Sequence, residues 1–271
     1  MEKTILITGA TDGIGLETAK LLAAKGHNLL IHGRSDSKLT RTSGELKKVA
    51  RGTVATYRAD LSKLDEVKAM ANAILETHTK LDVVINNAGV FKTNNPRTNE
   101  GLDVRFIVNT VAPYLLTKLL LPAIPSQGRV INLSSAAQAP VNLEALVGTV
   151  PLDDNQAYAQ SKLAITMWSF HLARSLGPNG PVVVAVNPAS FLGSKMVKEA
   201  YGMQGNDLSV GADILVRGAL SDEFADATGK YYDNDQQRFA APHSHGLDSS
   251  NNQRLVEKIE AICSDLLMKQ N

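Results

Sequence analysis

The sequence predicts an α/β fold: a single doubly wound domain with a parallel seven-stranded sheet and helices on both faces. Three observations predict it. Short runs rich in Val, Ile and Leu alternate with longer segments of helical period, the pattern of βαβ units. The strand runs are apolar almost throughout, as in Val83-Val84-Ile85 and Val182-Val183-Val184, which suits a sheet covered on both sides. A chain of 271 residues fits one large domain, and no repeat, low-complexity tract or flexible linker divides it.

The elements follow in order. Thr4 to Thr8 reads as a strand. Gly13 to Lys25 reads as a helix with Ile14, Thr18, Leu21 and Leu22 on one face and Gly26 as its stop. Asn28 to His32 is the second strand and Asp36 to Ala50 a polar helix. Val54 to Arg58 is the third strand. Ser62 to Thr77 is a helix, with Ser62 as N-cap and Glu66 close behind. Leu81 to Asn86 is a strand, followed by a long helix from Gly101 to Leu121 that Pro122 stops. Arg129 to Ser134 is a strand, and Gln156 to Leu176 a helix ended by Gly177-Pro178. Pro181 to Asn187 is the sixth strand. Asp207 to Leu220 is a helix, Lys230 to Tyr232 a short strand, and Asn251 to Leu267 the last helix.

Composition excludes several classes. Apolar residues make up 44% and charged residues 20%, which is too apolar for a disordered chain. The 28 basic and 27 acidic side chains leave a net charge of +1. That supplies no surplus for phosphate backbones, so no nucleic-acid partner is expected. Cys263 is the only cysteine; an intrachain disulfide is impossible, and a reducing compartment is favoured. The apolar stretch from Ile107 to Pro125 is broken by Asn109, Thr110, Thr117 and Lys118, so no membrane span is expected. No signal peptide precedes the first strand, and the expected location is cytoplasmic.

Ligands of such sheets sit beyond the carboxyl ends of the strands. After the first strand comes Thr8-Gly9-Ala10-Thr11-Asp12-Gly13-Ile14-Gly15. Glycines at a strand-to-helix turn let backbone approach a pyrophosphate, and the helix N-terminus offers free N–H groups. Any tight βα turn can also use glycines. The second strand runs into Gly33-Arg34-Ser35, with an arginine where a carboxylate would meet the ribose hydroxyls of NAD. A guanidinium there suits a 2′-phosphate and hence NADP(H); a solvated surface arginine is the plainer alternative. Asp60 is either an acceptor for an adenine amino group or part of the start of the next helix. Asn86-Asn87-Ala88-Gly89 gives a small-residue turn after the fourth strand, with Asn86 able to bond to neighbouring strands.

Tyr158 and Lys162 stand four apart on one helix face. A phenol has a reference pKa of about 10 and must be brought down by about 3 units to act as acid or base near neutrality. Burial alone moves it the wrong way, so a neighbouring cation is needed, and Lys162 is placed to be one. Ser134-Ser135, at the end of the preceding strand, can hold a reacting carbonyl oxygen. His243-x-His245 has metal-like spacing but no completing carboxylate or cysteine, so no metal is expected. Cys263 reads as a buried structural thiol.

Taken together, Gly9-x-x-x-Gly13-x-Gly15, Asn86-Asn87-Ala88-Gly89, Asn109, Ser135, Tyr158 and Lys162 resemble the short-chain dehydrogenase/reductases, whose domain is the Rossmann fold. The resemblance runs over nearly the whole chain. Val108-Asn109, Pro113 to Thr117, the insert between Ser135 and Tyr158, and Gly229 to Tyr232 look most like the retinol-dehydrogenase-like branch, which includes the WW-domain-containing oxidoreductases. The resemblance implies hydride transfer between NADP(H) and a carbonyl or alcohol. Tyr158 would be the general acid in reduction, Lys162 would lower its pKa and bind the nicotinamide ribose, Ser135 would orient the substrate oxygen, and Asn109 would hold a water in the relay behind Lys162. Gly9, Thr11, Asp12, Gly13, Ile14 and Gly15 would cradle the pyrophosphate. Arg34 and Ser35 would meet the 2′-phosphate, and Asp60 and Leu61 would flank the adenine. Asn87, Ala88 and Gly89 would contact the adenosine side, and Pro188 and Ser194 the nicotinamide side.

The chain departs from the family at Pro188-Ala189, where Pro-Gly is common, and no anchor like that of microsomal retinol dehydrogenases is expected. A substrate loop is expected at about residues 190–210, with Phe91, Leu192, Met196, Tyr201 and Met203 as candidate wall residues. A homodimer through the helices from Gly101 and Gln156 is a candidate assembly. Two rival functions are a non-catalytic NADP(H)-binding sensor or scaffold, and an isomerase or dehydratase of the extended type.

Overall fold

The computed structural model describes residues 1–193, 198, 202 and 204–268. Eight strands form one sheet: β1 (Thr4–Ile7), β2 (Asn28–Gly33), β3 (Val54–Arg58), β4 (Val83–Asn86), β5 (Arg129–Leu133), β6 (Val182–Asn187), β7 (Tyr231–Asp233) and β8 (Arg238–Ala240). Their order is β3-β2-β1-β4-β5-β6-β7-β8. The first seven are parallel, as expected. β8 is an added antiparallel edge strand, pairing Tyr232 with Phe239. It was missed because it is three residues long, sits in a polar stretch and is defined by its hairpin partner more than by its own pattern.

The helices are α1 (Gly13–Ala24), α2 (Asp36–Lys47), α3 (Leu64–Thr77), α4 (Val104–Ala123), α5 (Leu143–Leu146), α6 (Asp154–Leu176), α7 (Leu208–Leu220) and α8 (Ser249–Met268). Alternation along each strand feeds two cores. Ile5, Ile7, Leu29, Ile31, Val83 and Ile85 face α1, α2 and α7. Leu6, Leu30, Val84, Val130 and Val183 face α3, α4, α6 and α8, around the fully buried Trp168 and Phe106.

Several helix starts differ from expectation. α3 begins at Leu64 with Lys63 at the cap. Ser62 does not cap it, because its N–H and hydroxyl both donate to Asp60 Oδ1. The Glu66 carboxylate instead reaches back to the Asp60 N–H at 2.8 Å. α4 begins at Val104 behind Asp103, whose carboxylate accepts the Arg105 N–H, and Gly101 lies outside it. Arg105 is 1% exposed and is held by Asp103 and Asp154. The insert before Tyr158 holds the short α5, capped by Asn142.

By length and composition α4 could cross a membrane, yet 78% of its most apolar window is buried in the fold. Its apolarity answers to the core. The final helix α8 packs on α6 and α3, and Glu260 accepts a hydrogen bond from the Tyr114 hydroxyl of α4 at 2.6 Å. The helices considered for a dimer contact are therefore partly covered by the chain's own C-terminus.

Candidate active site

β1 and β4 are neighbours while their connections leave in opposite directions, which opens a crevice at the carboxyl edge of the sheet. A cavity of about 700 Å³ occupies it. One end is the β1–α1 turn. Gly9 has φ +66° and Gly13 φ +54°. A Cβ on Gly9 would stand 2.9 Å from Ala88 Cα, so only glycine brings the two turns this close. Asn87 locks the pair: its side-chain amide donates to Thr8 O and Gly9 O, while Thr8 Oγ1 accepts the N–H groups of Asn87 and Ala88. Asp12 caps α1 through the Gly13 N–H at 2.8 Å. Asn86 bonds across strands as expected, donating to Asn132 at 2.8 Å and Thr117 at 3.0 Å.

The cavity is lined by Gly9, Thr11, Asp12, Gly13, Ile14, Arg34, Ser35, Asp60, Leu61, Asn87, Ala88, Gly89, Tyr158, Lys162 and Pro188, all named from sequence. Gly15 lies behind the turn, packed on Gly9 and Asn87, and serves the geometry more than the lining. Asn109 and Ser135 are outside the lining. Ser194, with Met196, Tyr201 and Met203, falls outside the described residues, while Phe91 lines the cavity and Leu192 is buried outside it. Beside Arg34, Ser35 caps α2. Burial raises the Asp60 carboxyl, but two Ser62 hydrogen bonds together with Arg34 and Lys63 outweigh it and hold it below the usual range.

Lys38 and His32 are among the lining residues that sequence reasoning missed, with Val90, Lys92 and Leu133. Lys38 stands one helical turn after Arg34, so its spacing offered a signal. His32 offered none, being a polar residue inside a strand. Its Nδ1 accepts the Gly9 N–H at 3.2 Å, and its Nε2 faces Ala59 O at 3.0 Å. Burial pushes this imidazole down to about 4. It stays neutral and ties the glycine turn to the ends of β2 and β3.

At the other end Lys162 is 4% exposed. Its Nζ donates to Leu133 O at 2.8 Å and lies 5.7 Å from the Tyr158 ring centroid. Burial lowers its pKa to about 8. Phe91 meets the Tyr158 ring edge-on at 4.7 Å between centroids. Asn109 sits in a π-helical stretch, Ile107–Val111, inside α4. Its Oδ1 accepts the Val90 N–H, and its Nδ2 donates to Val90 O and Ser161 Oγ. The side chain is spent on the fold, so a water held by this residue would have to use its main-chain carbonyl.

The two serines behave differently. The Ser134 hydroxyl donates to Lys162 O at 2.9 Å and accepts from Thr166 at 2.8 Å, so it is committed to α6. Ser135 Oγ accepts only the Ala137 N–H at 3.1 Å, and its proton has no acceptor among the described residues. Among those residues there is also no cluster of potential metal ligands. His243 Nδ1 accepts the His245 N–H at 3.2 Å, a local turn contact.

A parallel sheet with a glycine cradle at its switch point, leading to a tyrosine and a buried lysine, defines a dinucleotide-dependent oxidoreductase. The sequence pattern of the short chain dehydrogenases matches residues 3–205, and the chain belongs to that family. Human retinol dehydrogenase 13 is 30% identical over 269 residues, covering 89% of this chain and 79% of that protein. Human polyprenol dehydrogenase is 29% identical over 279 residues, covering 95% and 83%. The chain thus falls in the retinol-dehydrogenase-like branch. An uncharacterized protein from Mycobacterium paratuberculosis has a similar solved structure, with a TM-score of 0.78, 25% identity and coverage of 97% and 93%. A metagenomic short-chain oxidoreductase in complex with NADP gives a TM-score of 0.61 at 27% identity, over 80% and 90%.

Proposed function

We propose that this protein moves hydride between NADP(H) and a small carbonyl or alcohol substrate, with Tyr158 as acid and base. The observation that carries the reading is Lys162. Among the described residues its buried ammonium has one hydrogen-bond partner, Leu133 O, so donors remain beside a phenol, and ribose hydroxyls would use them. Arg34, joined by Lys38, offers cations where a 2′-phosphate would lie, and the glycine turn has the shape for a pyrophosphate. The cofactor supplies the hydride.

In reduction Tyr158 gives its proton to the carbonyl oxygen as the carbon receives hydride. Lys162 favours the phenolate left behind. The Ser135 hydroxyl donates to the same oxygen and orients it. Asn109 holds a water behind Lys162 through its main-chain carbonyl. In oxidation the phenolate takes the alcohol proton. A cytoplasmic location is part of this reading, supported by the single cysteine, which is buried.

The test is reduction of a panel of aldehydes by NADPH, followed by loss of nicotinamide absorbance. Tyr158→Phe keeps the ring and should keep NADPH binding, yet lose about 10²–10⁴ in rate. Near-normal reduction by that variant would favour the sensor reading. Lys162→Met gives a second, oppositely signed readout. The folded lysine titrates at about 8 against 10.5 unfolded. Below pH 8 the ammonium is charged in both states, and burial costs the fold about 3 kcal/mol. That penalty is relieved as pH rises from 8 to 10.5. Lys162→Met should therefore lose activity and yet raise the urea midpoint of the free protein at pH 7, by less at pH 10. A lowered midpoint at pH 7 would count against this account.

A further inference from the structure

The Ser135 hydroxyl is left available because other groups hold its backbone. Ser135 O accepts two hydrogen bonds, from Gln138 Nε2 at 2.8 Å and from the Tyr231 hydroxyl at 3.1 Å. The Gln138 amide is fixed at both ends, since its Oε1 accepts the His243 N–H at 2.8 Å. The Ala137 N–H occupies an acceptor position on Ser135 Oγ. Its O–H proton then has no acceptor among the described residues. Ser134 is instead tied to α6 by its own hydroxyl. Burial, followed by the Asp233 and Asp235 charges, raises the Tyr231 phenol, so it remains a donor at any working pH. Tyr231 and His243 both lie beyond residue 205, where the family match ends. The C-terminal segment thus closes beneath the strand end that carries the serine.

We propose that Gln138, backed by the His243 backbone and joined by the Tyr231 hydroxyl, is the positioning residue of the Ser135 hydroxyl. The inference rests on the catalytic role of Ser135 proposed above. A hydroxyl turned away from the oxygen it must meet loses rate without altering the glycine turn, to which neither Ser135 nor Gln138 is hydrogen-bonded among the described residues.

The experiment is a double-mutant cycle on aldehyde reduction by NADPH, with NADPH affinity measured by fluorescence. Gln138→Ala should lower kcat about 10-fold and leave NADPH affinity within about two-fold, the mark of a lost orientation and not a lost fold. Gln138→Glu keeps the acceptor for His243 N–H but, ionised, cannot donate to Ser135 O. Its kcat should be low at pH 8 and recover relative to wild type as the carboxyl protonates on acidification. In a Ser135→Ala background, Gln138→Ala should cost nothing more. The proposal is overturned by wild-type kcat in Gln138→Ala, by additive losses in the cycle, or by a parallel loss of NADPH affinity. Undiminished activity in Ser135→Ala would overturn the serine's role itself, and the positioning claim with it. A damaged Ser135→Ala beside an intact Gln138→Ala would overturn the positioning claim alone.

Discussion

Two turns that follow parallel strands at the cavity make the same demand on the backbone and meet it differently. The turn after β1 takes positive φ at Gly9 and Gly13, +66° and +54°, where glycine bears no Cβ penalty. The turn after β6 takes positive φ at Ala189 and Phe191, +118° and +53°. An L-residue held there costs about 1–3 kcal/mol and persists only when its surroundings over-determine it. Here they do. Asp235 accepts the Ser190 N–H at 2.8 Å, the Ser190 hydroxyl at 2.6 Å and Asn187 Nδ2 at 2.9 Å. Asn206 donates its N–H to Phe191 O and accepts the Gly193 N–H, so the far end of the loop is pinned at the same place. Asn234 Nδ2 holds Pro188 O at 3.0 Å. Close packing decides the residue at one turn, and a hydrogen-bonded clasp permits the wrong residue at the other.

Breaking the first turn should have the larger effect. Gly9→Ala places a methyl group against the Ala88 backbone in a left-handed conformation. The two penalties together should cost about 3 kcal/mol and lower NADPH affinity well over ten-fold. A variant that melts and binds like wild type would show that the cradle does not need glycine. Removing the clasp should cost less. Asp235→Ala strands donors that are partly in water, for about 1–2 kcal/mol, read as a shift in denaturation midpoint. Burial raises this carboxyl, but the hydrogen bonds from Ser190 and Asn187 outweigh it and hold it below its usual range, so its contribution is present near neutrality and fades on acidification through that lowered value. The smallest effect has the opposite sign. Ala189→Gly relieves the strained φ and should stabilise by about 1 kcal/mol. In that background Asp235→Ala should cost less than it does alone; strict additivity would uncouple the clasp from the strain.

Much of the cradle was legible because it depends on local chain geometry. Gly9 and Gly13 announce their positive φ, Arg34 follows its strand directly, and Tyr158 and Lys162 share a helix face by spacing. The lining the structure shows contains nearly all of the cradle residues read this way. Legibility failed where competing partners lay elsewhere in the chain. Ser62 looked like a helix cap, but Asp60 holds its donors. Ala189 was legible only as a departure from the family's Pro-Gly, since nothing local says that φ must be positive there. The role that the resemblance gives Asn109 could not be divided between side chain and main chain until Val90 and Ser161 were seen to occupy the side chain.

The sequence by itself determined the order of βαβ units, the sheet buried on both faces and the residues at the strand ends. Each of these follows from periodicity, turn chemistry and spacing within a few residues. Only the tertiary structure decided which of two adjacent serines keeps its hydroxyl proton and what holds its backbone. Those contacts join Ser135 to Tyr231 and Gln138 to His243, pairs separated by 96 and 105 residues. Hydrogen bonds are short and directional, so no pattern along the chain reports a partner that far away until the fold has closed.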